Sequence, residues 1–351
     1  MSYHSGGMQL LIRRGFKFEL KPNGMQIQLM KQFCGCARYV YNRTLSLEKS
    51  LYKKDSKHSF KYTEAANRLP EWKKKNPFLK ECHSQVLQQS LKDLDQAYTN
   101  FFRKQANFPR YKKKFQHDSI RFPQGVELDE VKQQIRLPKI GWMGYRKSRD
   151  IIGTIKNVTV SRRGEKWDVS IQTEYEVISS APNPSEIGID MGVKRFVTMS
   201  NGDFVEPLNA FKQEQEKLAK LQRKLARQKK GSRNSRKTKR KIARLHCYIA
   251  DSRRDFLHKT STKIAKNHSI VYVEDLKVSN MSASAGGTKE SPGKNVRQKS
   301  GLNRSILDQG WYSFFPDALL QIRAGRRKAD KSRSQKHEPN LSAMRTCLGR
   351  E

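Results

Sequence analysis

The chain has 351 residues and carries 72 Lys and Arg against 33 Asp and Glu, a formal net charge of +39. Self-repulsion on that scale disfavours compaction unless a polyanion neutralises it, so nucleic acid is the expected counterion. No apolar run approaches the roughly 20 residues that span a bilayer. The N-terminus has no signal-peptide core, and the five cysteines (Cys34, Cys36, Cys82, Cys247, Cys347) never form Cys-x-x-Cys. A membrane partner and a four-ligand zinc site are therefore not expected, and a cytoplasmic, nucleoid-associated protein of two or three domains is.

In chain order, "QLLIRRGFKFEL" at 9–20 alternates loosely as a strand, and "KPNG" at 21–24 reads as a turn. From Met25 to about Tyr52 apolar residues recur every three to four positions (Ile27, Met30, Cys34, Ala37, Tyr41, Leu45), which predicts a helix. Residues 53–80, interrupted by Pro70 and Pro77, predict shorter helices, and about 84–103 predict a second long one with Leu87, Leu91, Leu94, Tyr98 and Phe101 on one face. Cys34 and Cys36 are expected to pack within the first helix. In "NFPRYKKKFQ", Phe108, Tyr111 and Phe115 alternate with Arg110, Lys112, Lys113 and Lys114. Two readings stay open there: the rings anchor a loop, or they stack on bases or sugars beside phosphate contacts. The period then returns to two through "SIRFPQ", "VELDEVKQQIRLP" and "TIKNVTVSRRGEKWDVSIQTEY". A strand, then helices, then more strands predicts a β-barrel over about 8–178 with a helical insertion at about 24–106, and "SSAPNPSE" is the linker out of it.

A second domain is predicted from Glu186. "IGIDMGV", "RFVTMS" and "FVEPL" read as short consecutive strands, with Asn201-Gly202 a strong hairpin signal. Residues 212–244 hold fifteen Lys and Arg against two Glu, with Leu218, Leu221 and Leu225 at helical spacing. Such a run is ordinarily a solvated face, but its density favours phosphate contact by Arg223, Lys224 and Arg227. A further helical stretch leads into the strand "IVYV", and 279–301 reads as a mobile Ser/Gly/Lys-rich loop. This order is that of an RNase H-like α/β domain, so the fold class expected is α+β and multidomain. Asp190 in "IGIDMGVKRF" and Glu274 in "SIVYVEDL" stand out as carboxylates in apolar, strand-like settings of a very basic chain. Acids of that kind are suited to holding Mg²⁺ against phosphate.

Seven segments carry a family resemblance: "CARYVYNRTL" at 36–45, "LKDLDQAYTNFF" at 91–102, "FPRYKKK" at 108–114, "IRLPKIGWMGYRKSR" at 135–149, "GIDMGVKRFVTMSNG" at 188–202, "VYVEDLKVSNM" at 271–281 and "GLNRSILDQGWYSF" at 301–314. Together, and in this order, they resemble TnpB, the OrfB-type product of small insertion sequences and a relative of the type V CRISPR effectors. The resemblance spans about residues 9–314. It implies a wedge-like N-terminal barrel with a helical recognition insertion, followed by a RuvC nuclease domain, here over about 186–325 and incomplete at its C-terminus; residues 326–351 read as a basic, disordered tail. It also implies a guide RNA, a double-stranded DNA target, an RNA–DNA heteroduplex and Mg²⁺-dependent cleavage. Asp190 matches the first acid of the RuvC site and Glu274 the second. Arg146, Arg149 and Arg304 join the basic residues above as expected nucleic-acid contacts.

The departure comes after Phe314. Family members continue through paired Cys-x-x-Cys motifs to a third acid in an Asp-x-Asn-Ala-Ala context, and "FPDALLQIRAGRRKADKSRSQKHEPNLSAMRTCLGRE" contains neither. Asp317, beside Pro316, is the nearby substitute. With Mg²⁺ held by few carboxylates, a two-metal mechanism lacks a ligand. Guided binding does not depend on that ligand, since sequence is read by base pairing and the protein grips the backbone. Three functions follow: an RNA-guided DNA-binding protein with a defective nuclease acting as a transposon-derived target-site blocker or repressor, an active endonuclease completed by Asp317, or a guide-independent nucleic-acid-binding transposon protein.

Overall fold

The computed structural model describes residues 9–178, 185–268, 270–274, 276–288 and 290–315. Two compact units divide it, one at Leu11–Glu176 and the other taking the chain from Val177. The expected tail at 326–351 lies outside the described residues, as does most of the expected linker.

In the first unit, β1 (Gln9–Lys21) leads into α1 (Gly24–Lys54). The "KPNG" turn doubles as a helix cap. The Gln26 N–H donates to Asn23 Oδ1 at 2.9 Å, and the Asn23 N–H donates to Gln26 Oε1 at 3.0 Å, a capping box that satisfies two orphan amides. Short helices α2 (Tyr62–Asn67), α3 (Leu69–Lys75) and α4 (Phe78–Glu81) precede α5 (Ser84–Phe102). Then come β2 (Ser119–Phe122), β3 (Glu127–Asp129), β4 (Gln134–Leu137), β5 (Gly141–Tyr145), β6 (Thr154–Arg163) and β7 (Lys166–Ile178). The seven strands form one sheet in the order β2-β6-β7-β1-β5-β4-β3. The period-two pattern sends Phe16, Phe18 and Leu20 inward, where they meet Phe33 and Val40 of α1 and Leu87 and Leu91 of α5 in one core. Cys34, Cys36 and Cys82 are buried in that core. Deleting a ring such as Phe18 from it would cost about 3–5 kcal/mol.

The second unit begins with β8 (Glu186–Met191), β9 (Val197–Met199) and β10 (Phe204–Val205). Helices α6 (Ala210–Ala226) and α7 (Arg233–Asn267) follow, then β11 (Ile270–Val273), α8 (Val278–Met281) and α9 (Val296–Gln309). The Lys/Arg-rich run is thus two helices, broken at Gly231 (φ +83°), with the Ser235 N–H donating to Ser232 Oγ at 3.1 Å to start the second. The sheet order is β10-β9-β8-β11. β8, β9 and β10 pair antiparallel, and β11 adds parallel to β8. Ile187, Ile189, Met191, Phe196, Trp311 and Phe314 make its core. Part of the expected 279–301 loop is instead ordered: Val296–Gly301 opens α9, and the Asn303 amide donates to the Ser282 and Ala283 carbonyls at 3.0 Å.

Candidate metal centre and nucleic-acid interface

Burial alternates along β8. Ile187, Ile189 and Met191 face the core, which turns Glu186, Gly188 and Asp190 to the other side. Parallel pairing then sets β11 in register, with Tyr272 opposite Gly188 and Val273 opposite Ile189. Asp190 and Glu274 are the residues that follow the last registered pair, at the same ends of two neighbouring strands spaced about 4.8 Å apart. The chain turns at once after Asp190. Gly192 is required there, because a Cβ at that position would come within 2.8 Å of the Arg195 carbonyl oxygen.

Asp190 and Glu274 are both exposed, and neither carboxylate is tied to a described cation. Glu206 and Glu216 are exposed without a described cation as well, so what sets Asp190 and Glu274 apart is that both stand at the same ends of paired strands. Paired carboxylate oxygens beside open solvent suit Mg²⁺, which keeps much of its water shell and accepts one or two carboxylates with substrate phosphates completing the octahedron. A two-metal site needs more. Among the described residues no group of three or more His, Cys, Asp or Glu gathers to hold a metal. Asp317, the expected substitute, lies outside the described residues.

The nucleic-acid candidates fall into several settings. Arg223, Lys224 and Arg227 line one groove of about 580 Å³ with Lys220 and Gln228, on the side of α6 away from Leu218 and Leu221, which pack on Leu245 and Ile249 of α7. Arg304 stands exposed on α9. In the first unit, Arg149 lies 5.3 Å over the Phe16 ring and Arg14 5.5 Å over the same ring. Burial, then the charge of Arg14, pull Arg149 below its ordinary pKa. Arg146 donates its backbone N–H to the Glu19 carbonyl at 2.8 Å and keeps its side chain largely in solvent.

Arg110, Lys112, Lys113 and Lys114 are all exposed, but Lys112 is also engaged. Its ammonium sits 4.2 Å over the Tyr41 ring and 3.6 Å from Asp93, and burial lowers its pKa. Its backbone is clamped as well: Asn42 Nδ2 donates to the Lys112 carbonyl at 2.9 Å and the Lys112 N–H donates to Asn42 Oδ1 at 2.8 Å. Asn42 stands in "CARYVYNRTL" with nothing in the sequence to give it a role. An Asn facing a basic loop 70 residues away leaves no local signal.

Asp308 is the other residue that the sequence does not single out. Its buried carboxylate accepts from the Phe211 N–H at 2.9 Å and 3.0 Å and from the Lys212 N–H at 3.1 Å, and pairs with Arg253 at 2.6 Å. Asn209, before α6, adopts φ +51° and gives no side-chain cap, so Asp308 caps the helix from α9. The helix carrying the basic groove is therefore oriented by an acid almost a hundred residues downstream.

Two family signatures match the chain, one described as "Probable transposase" (OrfB_IS605) over residues 170–285 and one as "Helix-turn-helix domain" (HTH_OrfB_IS605) over 8–57. The latter stretch is a strand and one 31-residue helix. The chain is 53% identical over 302 residues to "Putative RNA-guided DNA endonuclease InsQ" of Escherichia coli (strain K12), covering 85% of this chain and 75% of that protein. It is 35% identical over 312 residues to "Putative RNA-guided DNA endonuclease" of Streptomyces pristinaespiralis, covering 87% and 73%. Among solved structures, the "Cas12f1-sgRNA-target DNA complex" aligns at 15% identity over 88% of this chain and 83% of that one, with a TM-score of 0.27, too low to carry a fold argument. The chain belongs to the OrfB/TnpB family. Among the described residues no helix is long and apolar enough to cross a membrane.

Proposed function

We propose that this protein is an RNA-guided DNA-binding member of the TnpB family with an impaired nuclease. The observation that supports the reading is the parallel register of β11 on β8, which runs to Val273 opposite Ile189, the residues just before Glu274 and Asp190. A meander with a fourth strand parallel to its first is the arrangement expected of an RNase H-like, RuvC-type domain. The seven-stranded sheet with its long helical insertion supports the wedge-like barrel reading for the first unit. Relatives at 53% and 35% identity named as RNA-guided DNA endonucleases support a guide RNA, a double-stranded DNA target and the heteroduplex between them as partners.

Asp190 and Glu274 would hold one Mg²⁺, which supplies Lewis-acid stabilisation of a phosphoryl oxygen and a more acidic bound water. The chain's own residues do the rest. The Arg223, Lys224 and Arg227 groove neutralises backbone phosphates. The impaired-nuclease reading is supported by the departure at 316–351, a stretch with neither the Cys-x-x-Cys pairs nor the Asp-x-Asn-Ala-Ala acid of the family. Such a protein holds its target without severing it, as a target-site blocker would.

One reading competes on a specific ground. Both relatives are named as "Putative RNA-guided DNA endonuclease", and the competing reading is an active endonuclease completed by Asp317. The test is direct: supply the protein with its co-purified RNA, a matched duplex and Mg²⁺, and follow both retention and cleavage. Retention without cleavage, unaltered by Asp190→Ala, is expected. Guide-dependent double-strand breaks abolished by Asp190→Ala or Asp317→Ala would promote the active enzyme. Co-purified RNA no different from bulk cellular RNA would sink the guided reading altogether.

A further inference from the structure

The segment "NFPRYKKKF" divides into two kinds of aromatic. Phe108 is an anchor: its ring lies edge-on to Phe101 at 5.2 Å and to Tyr98 at 5.8 Å. Tyr111 and Phe115 have no ring partner among the described residues and are 46% and 66% exposed, against 39% for Phe108. An isolated exposed ring is ordinary on a protein surface. Three features set these apart.

The first is backbone conformation. Phe115 has φ +65°, and a bulky residue in the left-handed region is a true outlier, because its Cβ crowds the following carbonyl. A loop free to relax would place glycine or asparagine there. The second is support. The Asn42 clamp fixes the Lys112 backbone in both directions, so the display is built on a fixed base. The third is charge. Lys49 Nζ stands 4.7 Å from the Tyr111 ring centre, and Lys114 Nζ and the Arg162 guanidinium stand 5.0 Å and 5.5 Å from that of Phe115. Both displayed rings thus have a cation within reach of a phosphate attached to whatever the ring contacts.

We propose that Tyr111 and Phe115 form a stacking platform for unpaired nucleobases, with Lys49, Lys114 and Arg162 holding the phosphates of the same strand. A base arriving over Phe115 replaces the Lys114 ammonium on the ring, and that ammonium then meets the phosphate the base brings with it. Duplex bases are stacked on one another and cannot make this contact, so the platform discriminates single-stranded from double-stranded segments. The inference rests on the chain's being a nucleic-acid-binding protein, and adds where unpaired bases are held.

The test uses the full chain and three probes of one sequence: single-stranded RNA, single-stranded DNA and duplex DNA. Phe115→Gly is the decisive variant, because glycine accepts φ +65° without strain. Its melting temperature should be no lower than that of the parent, while single-strand affinity falls about tenfold and duplex affinity and its salt slope stay unchanged. Phe115→Trp should bind single strands as well as the parent or better. A loss seen on RNA alone or DNA alone assigns the strand the platform holds, and a loss on both assigns recognition indifferent to the sugar. Unchanged single-strand affinity in Phe115→Gly overturns the proposal, and so does a variant that melts lower and loses all three probes together. The two inferences fail separately: unguided bulk RNA sinks the guided reading and leaves the platform, whereas intact single-strand binding by Phe115→Gly sinks the platform alone.

Discussion

Asp308 and Asp190 lie in the same unit, and the chain treats them in opposite ways. Asp308 is buried and meets two backbone N–H groups and a guanidinium. Asp190 is exposed, beside Glu274, with no described cation attached. With about two cations for every acid, pairing is the default outcome for a carboxylate in this protein. Across the first unit that default is followed by Glu48 with His58 and Arg68, by Asp168 with Lys17 and Arg163, and by Glu174 with Arg13 and Lys156. Glu206 and Glu216 are exposed without a described cation too, so openness alone does not mark Asp190; what marks it is a second open acid, Glu274, at the same end of the neighbouring strand. The contrast separates a joint of the fold from a site available to a ligand.

The sharpest way to break that contrast is at the joint. Asp308→Ala leaves Arg253 without its partner and the first turn of α6 without acceptors, and should destabilise the second unit by about 3 kcal/mol. Asp308→Asn should recover part of this, since an amide oxygen still accepts from the Phe211 N–H. A shift in the denaturant midpoint worth less than about 1 kcal/mol would show that α6 does not depend on its distant cap.

Next in size is the groove that this joint orients. Replacing Arg223, Lys224 and Arg227 by Ala removes three exposed cations from the outer face of α6, while Leu218 and Leu221 keep their packing on α7. Folding stability should move by no more than about 0.5 kcal/mol. The slope of log affinity against log salt should become shallower by about 3, one for each phosphate left without its cation. An unchanged slope would mean that the run is only a solvated face.

Much of this architecture can be read from the residues. The 3.6-residue period from Met25 carries through α1, the period of two carries through β1 and β7, and Asn201-Gly202 marks the turn between β9 and β10, with Gly202 at φ +91°. The break between α6 and α7 is harder, because Lys and Arg are good helix formers on both sides and only Gly231 and Ser232 interrupt them. β5 is short and glycine-bordered, and the sequence offers "IGWMGY" no clear alternation. In the site, the identities of Asp190 and Glu274 are legible from their apolar surroundings, but their adjacency is a matter of register between strands over eighty residues apart. Asp308 and Asn42 reach their partners across separations of 97 and 70 residues, where no local pattern extends.

A smaller effect concerns the ordinary, paired acids. Glu174 Oε2 lies 2.8 Å from Lys156 Nζ and Oε1 lies 2.6 Å from Arg13 Nε, and these hydrogen bonds, that of Lys156 first, hold its carboxyl below the usual range. A depressed carboxylate pKa contributes stability that is fully present above the unfolded value and disappears as pH falls through the folded one. Glu174→Gln should therefore be less stable than the parent at neutral pH, and the two stability curves should converge in acid. Curves that stay parallel from neutral to acid pH would remove this pair from the stabilising set.

The smallest effect on stability is expected at the open acid. Asp190 has no described partner to lose and faces away from the core residues Ile187, Ile189 and Met191, so Asp190→Ala should change folding stability in metal-free buffer by less than about 0.5 kcal/mol. Removing one negative charge from so basic a chain adds only weak, salt-screened repulsion. The difference should emerge on adding Mg²⁺. A ligand that binds the folded chain alone stabilises it in proportion to its occupancy, by about 1.4 kcal/mol when its concentration is tenfold above the dissociation constant. The parent should gain that increment and the variant should not, and Glu274→Ala should behave like Asp190→Ala because both acids serve the same ion. This melting experiment needs neither guide nor target and reads metal capture without reference to cleavage. A parent unresponsive to Mg²⁺ would reduce the pair to two solvent-facing strand residues, whereas a gain lost equally in both variants would make them one site.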